Sequence, residues 1–243
     1  MKIVFIRHGD PDYEKDALTE QGRKEAGLLV PRIPGFGAKE YYVSPLGRAQ
    51  ETARLALEGS GIEPATLWWL QEFGYPVYRL DKPGEGGVPW DWLPQHWTVL
   101  DEMYQADQWY RHPVFEKEDI EGQHRKVVEE FDAFLEAHGY RHKGRMFEAI
   151  APHNDTIIFF CHFGLETMLI SHLIGISPMI LWQGFCAAPT SVSIVATEER
   201  TEGNVQWRCI TYGDTSHLYA GGVAPGFSGR FCECFTNENE RHI

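Results

Sequence analysis

Two apolar runs in this chain end in the same way. Ile3-Val4-Phe5-Ile6 leads into Arg7-His8-Gly9, and Thr156-Ile157-Ile158-Phe159-Phe160 leads into Cys161-His162-Phe163-Gly164. Short runs rich in β-branched and aromatic residues read as buried strands. In an open α/β sheet, ligands collect where such strands end at the carboxyl edge of the sheet. If both strands are parallel and central, both histidines emerge at that one edge.

The intervening segments supply the crossovers a parallel sheet needs. A helix is expected over 19–32, with Thr19 as its cap and Glu20 as a favourable first-turn charge. A strand over 39–43 follows. Ser44-Pro45 then reads as an N-cap with proline at the first helical position, opening a helix that runs to about 58. Residues 65–70 look like a third strand. Residues 120–138 form an amphipathic helix pattern, with Val127, Val128, Phe131, Phe134 and Leu135 on one face and Gly139 as its stop. Another helix is expected over 145–151, then the strand over 156–161 and a helix to about 174. Residues 191–197 and 205–212 alternate like strands. This pattern predicts a three-layer α/β/α sandwich with a mostly parallel central sheet. One domain is expected over residues 1–243, with an aromatic-rich insertion at about 75–119 and an irregular tail at about 214–243.

Composition narrows the function classes. The formal net charge of −13 argues against general binding to nucleic acid or an anionic membrane, so an anion site must be a local basic pocket. The longest apolar stretch, 165–182, contains Glu166, Ser171, His172 and Pro178, and reads as a buried helix and turn, not a membrane span. Only a short apolar run precedes Arg7, which is too little for a signal sequence. The five cysteines, an odd number, suggest reduced thiols and a cytoplasmic location. Cys232-Glu233-Cys234 lacks the second pair or spaced histidine that a zinc site requires, and no carboxylate cluster suggests Mg²⁺. No metal or cofactor is expected.

Arg48 falls in the first turn of the helix after Ser44, where unpaired backbone N–H groups attract anions. Arg7, His8, Arg48 and His162 therefore converge on a plausible phosphate pocket. With them stand further stretches: Leu18-Thr19-Glu20-Gln21-Gly22-Arg23, Ser44-Pro45-Leu46-Gly47-Arg48-Ala49-Gln50-Glu51-Thr52-Ala53, and Leu70-Gln71-Glu72-Phe73-Gly74. In this order they resemble the histidine phosphatase superfamily, also called phosphoglycerate mutase-like. The resemblance covers residues 1–74 and 120–197 and is weak over 75–119 and the tail.

The resemblance implies a role for each matching residue. His8 would be the nucleophile, forming a phosphohistidine through one ring nitrogen while the other is held by a hydrogen bond. Arg7, Arg48 and His162 would grip the non-bridging oxygens and replace the usual metal. Glu72 would protonate the leaving alkoxide and then activate water, with Glu63, Asp81 and Glu85 as rival carboxylates. Gly9 and Phe163 would join Arg7 and Arg48 in touching substrate. Two positions depart from the usual pattern: Cys161 stands where serine is common, and Phe163 where a small glycine is common. Cys161 reads as a buried small residue, and Phe163 as an apolar wall.

A metal-independent phosphatase acting on a small phosphorylated metabolite is the expectation. The segment from Asp10 to Ala17 is shorter than in mutases of this type and lacks their asparagine and Gly-Trp pair. Phe163 after His162 departs from phytase-type members. A phosphoglycerate mutase-type phosphotransferase and a non-catalytic phosphate-binding pseudo-phosphatase are the alternatives. The insertion around Trp90, Trp92 and Trp97 suits either a lid that stacks on an organic leaving group or a small satellite core. A two-fold homodimer is the commonest assembly for such chains, and nothing in the sequence selects it.

Overall fold

The computed structural model describes residues 1–80, 82, 85–116 and 118–242. Lys2–Arg7 (β1) is hydrogen-bonded on both sides, parallel to one neighbour and antiparallel to the other. The hairpin of Pro11–Asp12 (β2) and Ala17–Leu18 (β3) follows it, then Glu40–Val43 (β4) and Ala65–Thr66 (β5). A second small hairpin joins Val77–Tyr78 (β6) to Gly86–Gly87 (β7). The remaining strands are Tyr140–Lys143 (β8), Met146–Ala149 (β9), Thr156–Cys161 (β10), Val192–Thr201 (β11) and Asn204–Asp214 (β12). Eight of them make one mixed sheet in the order β5-β4-β10-β1-β11-β12-β9-β8. Pairing is parallel from β5 to β1 and antiparallel from β1 onward. The expected parallel sheet is thus the half that carries the two histidines.

Both faces of that half are covered, as the continuous apolar runs require. Val4, Ile6, Ile158 and Phe160 face Glu20–Gly27 (α1) and Gly47–Ala56 (α2), where Leu29, Ala49 and Ala53 are buried with them. Ile3, Phe5, Ile157 and Phe159 point the other way. There they meet Ile120–Ala137 (α4), Phe163–Ile174 (α5) and Pro178–Gly184 (α6), together with aromatics of the insertion. The alternation of side chains along β1 and β10 therefore splits the core into two apolar layers.

Several local expectations change. Residues 145–151 do not form a helix: β8 and β9 make a hairpin about Gly144, whose φ of +68° suits a residue without Cβ, and β9 joins the sheet through Val205 and Phe147. Residues 65–70 hold only the short β5 before a 3₁₀ turn, Trp68–Leu70, that buries Trp69 and Leu70. The helix expected over 19–32 stops at Gly27, and Leu29 and Ile33 reach the core from the turns after it. Ser44 does not cap α2, which begins at Gly47 after an extended Leu46.

The insertion contains the short helix Pro94–Trp97 (α3) and several 3₁₀ turns. Trp92, Trp97 and Trp109 are buried in the main core. The tail adds Ser216–Ala220 (α7) and then returns to the sheet edge at β1. No helix among the described residues is long and apolar enough to cross a membrane.

Candidate active site

Arg7 pairs with Cys161 across β1 and β10, so the residues that follow them, His8 and His162, leave the sheet side by side. Their rings lie 5.1 Å apart, and both residues are almost wholly buried. His8 Nδ1 donates to the Gly9 carbonyl at 2.7 Å. A carbonyl only accepts, so the proton of a neutral ring sits on Nδ1 and Nε2 keeps its lone pair. Burial, reinforced by the Arg7 charge, holds His8 well below the usual histidine pKa. It is therefore neutral and nucleophilic near pH 7.

His162 has a complementary arrangement. Its Nε2 lies 2.7 Å from Ser44 Oγ, while its buried Nδ1 has no partner in the protein. If Ser44 donates to Nε2, the neutral ring carries its proton on Nδ1, an N–H lacking an acceptor. Burial, then the charge interaction with His8, keeps this ring well below its ordinary pKa as well. The free site thus presents a neutral donor, not an added positive charge, beside the nucleophile.

The positive charge comes from two arginines. Arg7 donates through Nη1 to the carbonyls of Ala187 at 2.5 Å and Ser228 at 3.2 Å, and its Nε is buried without a partner. Arg48 donates through Nη1 to Asp16 Oδ1 at 2.6 Å, and its Nε is likewise unpartnered. The other Asp16 oxygen accepts from Gly47 N at 2.6 Å, so the β2–β3 hairpin caps α2 and aims Arg48 together. Ser44, expected in that capping role, instead has its hydroxyl at His162.

Glu72 stands across the pocket. Its carboxylate accepts from the backbone N–H groups of Phe73 at 2.8 Å, Leu165 at 3.0 Å and Gly164 at 3.3 Å. Burial pushes its pKa above the ordinary value against these donors and the arginine charges. Arg7, Arg48, Glu72 and Phe163 line one cavity of about 420 Å³, with Tyr13, Trp90 and Asp91 on its walls. His8 and His162 are not among its lining residues; His8 directly follows one, Arg7, and His162 directly precedes another, Phe163, in the chain. Glu63 and Glu85 do not line it, and Asp81 lies outside the described residues.

Gly9, expected among the substrate contacts, uses its backbone groups within the protein. Its N–H donates to Thr52 Oγ1 at 3.0 Å and its carbonyl holds His8. A Cβ on Gly9 would come 2.6 Å from the Gly22 carbonyl oxygen, so glycine here lets α1 approach the loop. Cys161 is fully buried, and burial drives its thiol pKa well up, so it stays protonated.

Four parts of the site carry no signal in the sequence: Asp16, the tail residues Ser228 and Gly229, and Arg241. The tail reaches the cavity through Ser228, whose hydroxyl donates to Asp10 Oδ1 at 2.6 Å, and through Arg241, which pairs with Asp91 at 3.1 Å. Their nearness to Arg7 spans more than two hundred residues of chain, so no local pattern encodes it. Glu166 was visible only as a charge inside an apolar run. It is fully buried, bonded to Ser193 Oγ at 2.5 Å, and burial pushes its pKa up to about 7.

Comparison with known proteins gives the family and the fold. Residues 3–210 match the family model described as the histidine phosphatase superfamily (branch 1). A 2,3-bisphosphoglycerate-dependent phosphoglycerate mutase of Thermoplasma acidophilum is 30% identical over 96 residues, 35% of this chain and 48% of that protein. The chain thus spans about half the length of that curated relative. The phosphoserine phosphatase of Entamoeba histolytica in complex with 3-phosphoglyceric acid superposes with a TM-score of 0.59 at 18% identity, covering 89% of this chain and 98% of that one. The α-ribazole phosphatase of Shigella flexneri gives 0.57 at 20% identity, covering 88% and 97%. At these identities the solved structures share the fold.

Proposed function

The chain belongs to the histidine phosphatase superfamily, and on that premise we propose that it is an enzyme that hydrolyses a phosphate monoester through a phosphohistidine at His8. The observation that carries this reading is the His8 ring, neutral and pinned through Nδ1, beside His162 and the two arginines of the cavity.

The chemistry proceeds in two displacements. In the first, His8 Nε2 attacks phosphorus, the N–P bond forms and the P–O bond to the leaving group breaks. Arg7, Arg48 and the His162 Nδ1–H balance charge on the three non-bridging oxygens, so the protein itself supplies what a metal often supplies. Glu72, whose pKa burial raises, acts in its acid form and gives its proton to the leaving alkoxide. In the second, the Glu72 carboxylate takes a proton from water as the water oxygen attacks phosphorus. The N–P bond breaks, orthophosphate departs, and His8 returns to its neutral form.

The cavity walls support a small organic phosphate as substrate. Tyr13, Trp90 and Phe163 offer aromatic faces to a leaving group, and about 420 Å³ admits a metabolite and not a folded partner. The name of the curated relative makes mutase chemistry the second reading, in which the phosphohistidine returns its phosphoryl group to a bound hydroxyl.

Phosphate release from an aryl phosphate, followed in EDTA beside His8→Ala, tests the proposal. Turnover by the unsubstituted enzyme, lost in the variant together with an acid-labile phosphoenzyme, is the expected result. Equal turnover in His8→Ala, or no phosphoenzyme at all, overturns it. Interconversion of 3- and 2-phosphoglycerate faster than phosphate release assigns the mutase reading instead.

A further inference from the structure

A second polar cluster lies away from the catalytic pocket. Asp132 of α4, His142 of β8 and His172 of α5 meet at one point, each offering a ligand atom within 4.8 Å of the other two. Asp132 Oδ1 is 2.8 Å from His172 Nε2, and Oδ2 is 3.0 Å from His142 Nδ1. His142 and His172 line a cavity of about 400 Å³, which His124 also lines. We propose that Asp132, His142 and His172 form a binding site for a divalent transition cation of the Zn²⁺ class.

The donor set supports this. Two imidazole nitrogens and one carboxylate are the ligands such cations take, with an open position left for water. Ligands about 2.0–2.2 Å from a tetrahedral ion stand roughly 3.3–3.5 Å apart, so the present contacts need open by only about 0.5 Å. The adjoining cavity gives the ion an entry path and room for its water.

Such an ion would cross-link α4, the β8–β9 hairpin and the last turn of α5. The first turn of α5 follows His162 directly, so the ion would brace the helix whose other end shapes the catalytic pocket.

Zn²⁺ binding to EDTA-stripped protein, measured by equilibrium dialysis and metal analysis, tests the site. The intact chain is expected to bind one ion, and His142→Ala, His172→Ala and Asp132→Asn each to weaken it by about 100-fold or more, beyond the usual cost of losing an outer-shell partner. His8→Ala and the double variant Cys232→Ser/Cys234→Ser, which remove other donors, are expected to bind as the intact chain does. Circular dichroism checks that each variant folds. In the intact chain, imidazole ¹⁵N resonances give a reading that needs no variant. Zn²⁺ should shift His142 Nδ1 and His172 Nε2 to metal-bound values. No stoichiometric binding, unchanged affinity in both histidine variants, or a His142 imidazolium that persists in Zn²⁺ would overturn the proposal.

Discussion

Gly164 donates its backbone N–H to Glu72 Oε2, and it can do so because it has no side chain. A Cβ at Gly164 would fall 2.7 Å from Glu72 Oε1 and 2.5 Å from Cη2 of Trp90. The carboxylate thus rests on the first turn of α5, with the insertion's tryptophan closing over the same spot. A helix N-terminus stabilises an anion there, while burial favours the neutral acid. Those opposing effects suit a group that must both give and take a proton.

Replacing Glu72 with Gln removes the proton and keeps the shape. Turnover of an alkyl phosphate, whose leaving alkoxide needs protonation, should fall by about 10²–10⁴-fold. The first burst of phenol from an aryl phosphate with an acidic phenol should fall far less, while its steady turnover also drops because hydrolysis of the phosphoenzyme still needs the Glu72 carboxylate. The pH profile carries the sign. Glu72 is raised above the ordinary carboxylate range, so the competent acid is lost as pH rises through its pKa, and kcat/KM on the alkyl substrate falls toward alkaline pH. His8 is lowered, so its protonation does not cut activity until pH is well below 6.5. An alkaline limb that survives unchanged in Glu72→Gln would assign it to another group.

Gly164→Ala sets two effects against each other. Alanine in a helix gains up to about 1 kcal/mol over glycine. Here its methyl overlaps Trp90 and Glu72, and forced overpacking costs about 1–3 kcal/mol. The overlap should win, lowering both the urea midpoint and kcat. A variant more stable than the parent would show that Trp90 can move aside freely.

Asp16→Ala tests how Arg48 is aimed. The change removes a helix cap from Gly47 N, worth about 1 kcal/mol, and an ion pair whose carboxylate is 41% exposed and so contributes little by itself. Stability should drop by about 1–2 kcal/mol. Activity should drop further than that loss accounts for, chiefly through KM, because Arg48 no longer has a fixed partner. Steady-state kinetics beside urea unfolding separate the two.

Arg241→Ala asks whether the tail belongs to the site. Its pairing with Asp91 is partly exposed, so the unfolding temperature should scarcely change. KM for a small organic phosphate should nevertheless change several-fold, since Arg241, Asp91 and Trp90 share one cavity wall. Unchanged KM would reduce the tail to surface packing.

The parts of this molecule legible in its sequence are those with local or periodic causes. β1 and β10 show as unbroken apolar runs because both their faces are buried, and α4 shows as a stripe at helical spacing. Residues 145–151 read as a helix because four-residue strands offer too few alternations to outweigh helix-forming residues, and the β8–β9 hairpin with its pairing to β12 decides the outcome. Ser44 followed by proline is an ordinary capping signal. In the structure its hydroxyl accepts from Leu46 N and lies at His162, more than a hundred residues later, and α2 starts only at Gly47.

The sequence by itself determined the sheet edge and the residues that stand on it. Burial of β1 and β10 follows from short-range pattern, and Arg7, His8 and His162 are fixed to those strand ends by the covalent chain. Only the tertiary structure decided what surrounds them. It brought Asp16 to Arg48, the tail carbonyl of Ser228 to Arg7, Trp90 over Gly164, and Asp132 between two histidines of different elements. Each of these contacts joins segments remote in sequence, and its free energy exists only once packing has ordered both partners. No window along the chain contains it.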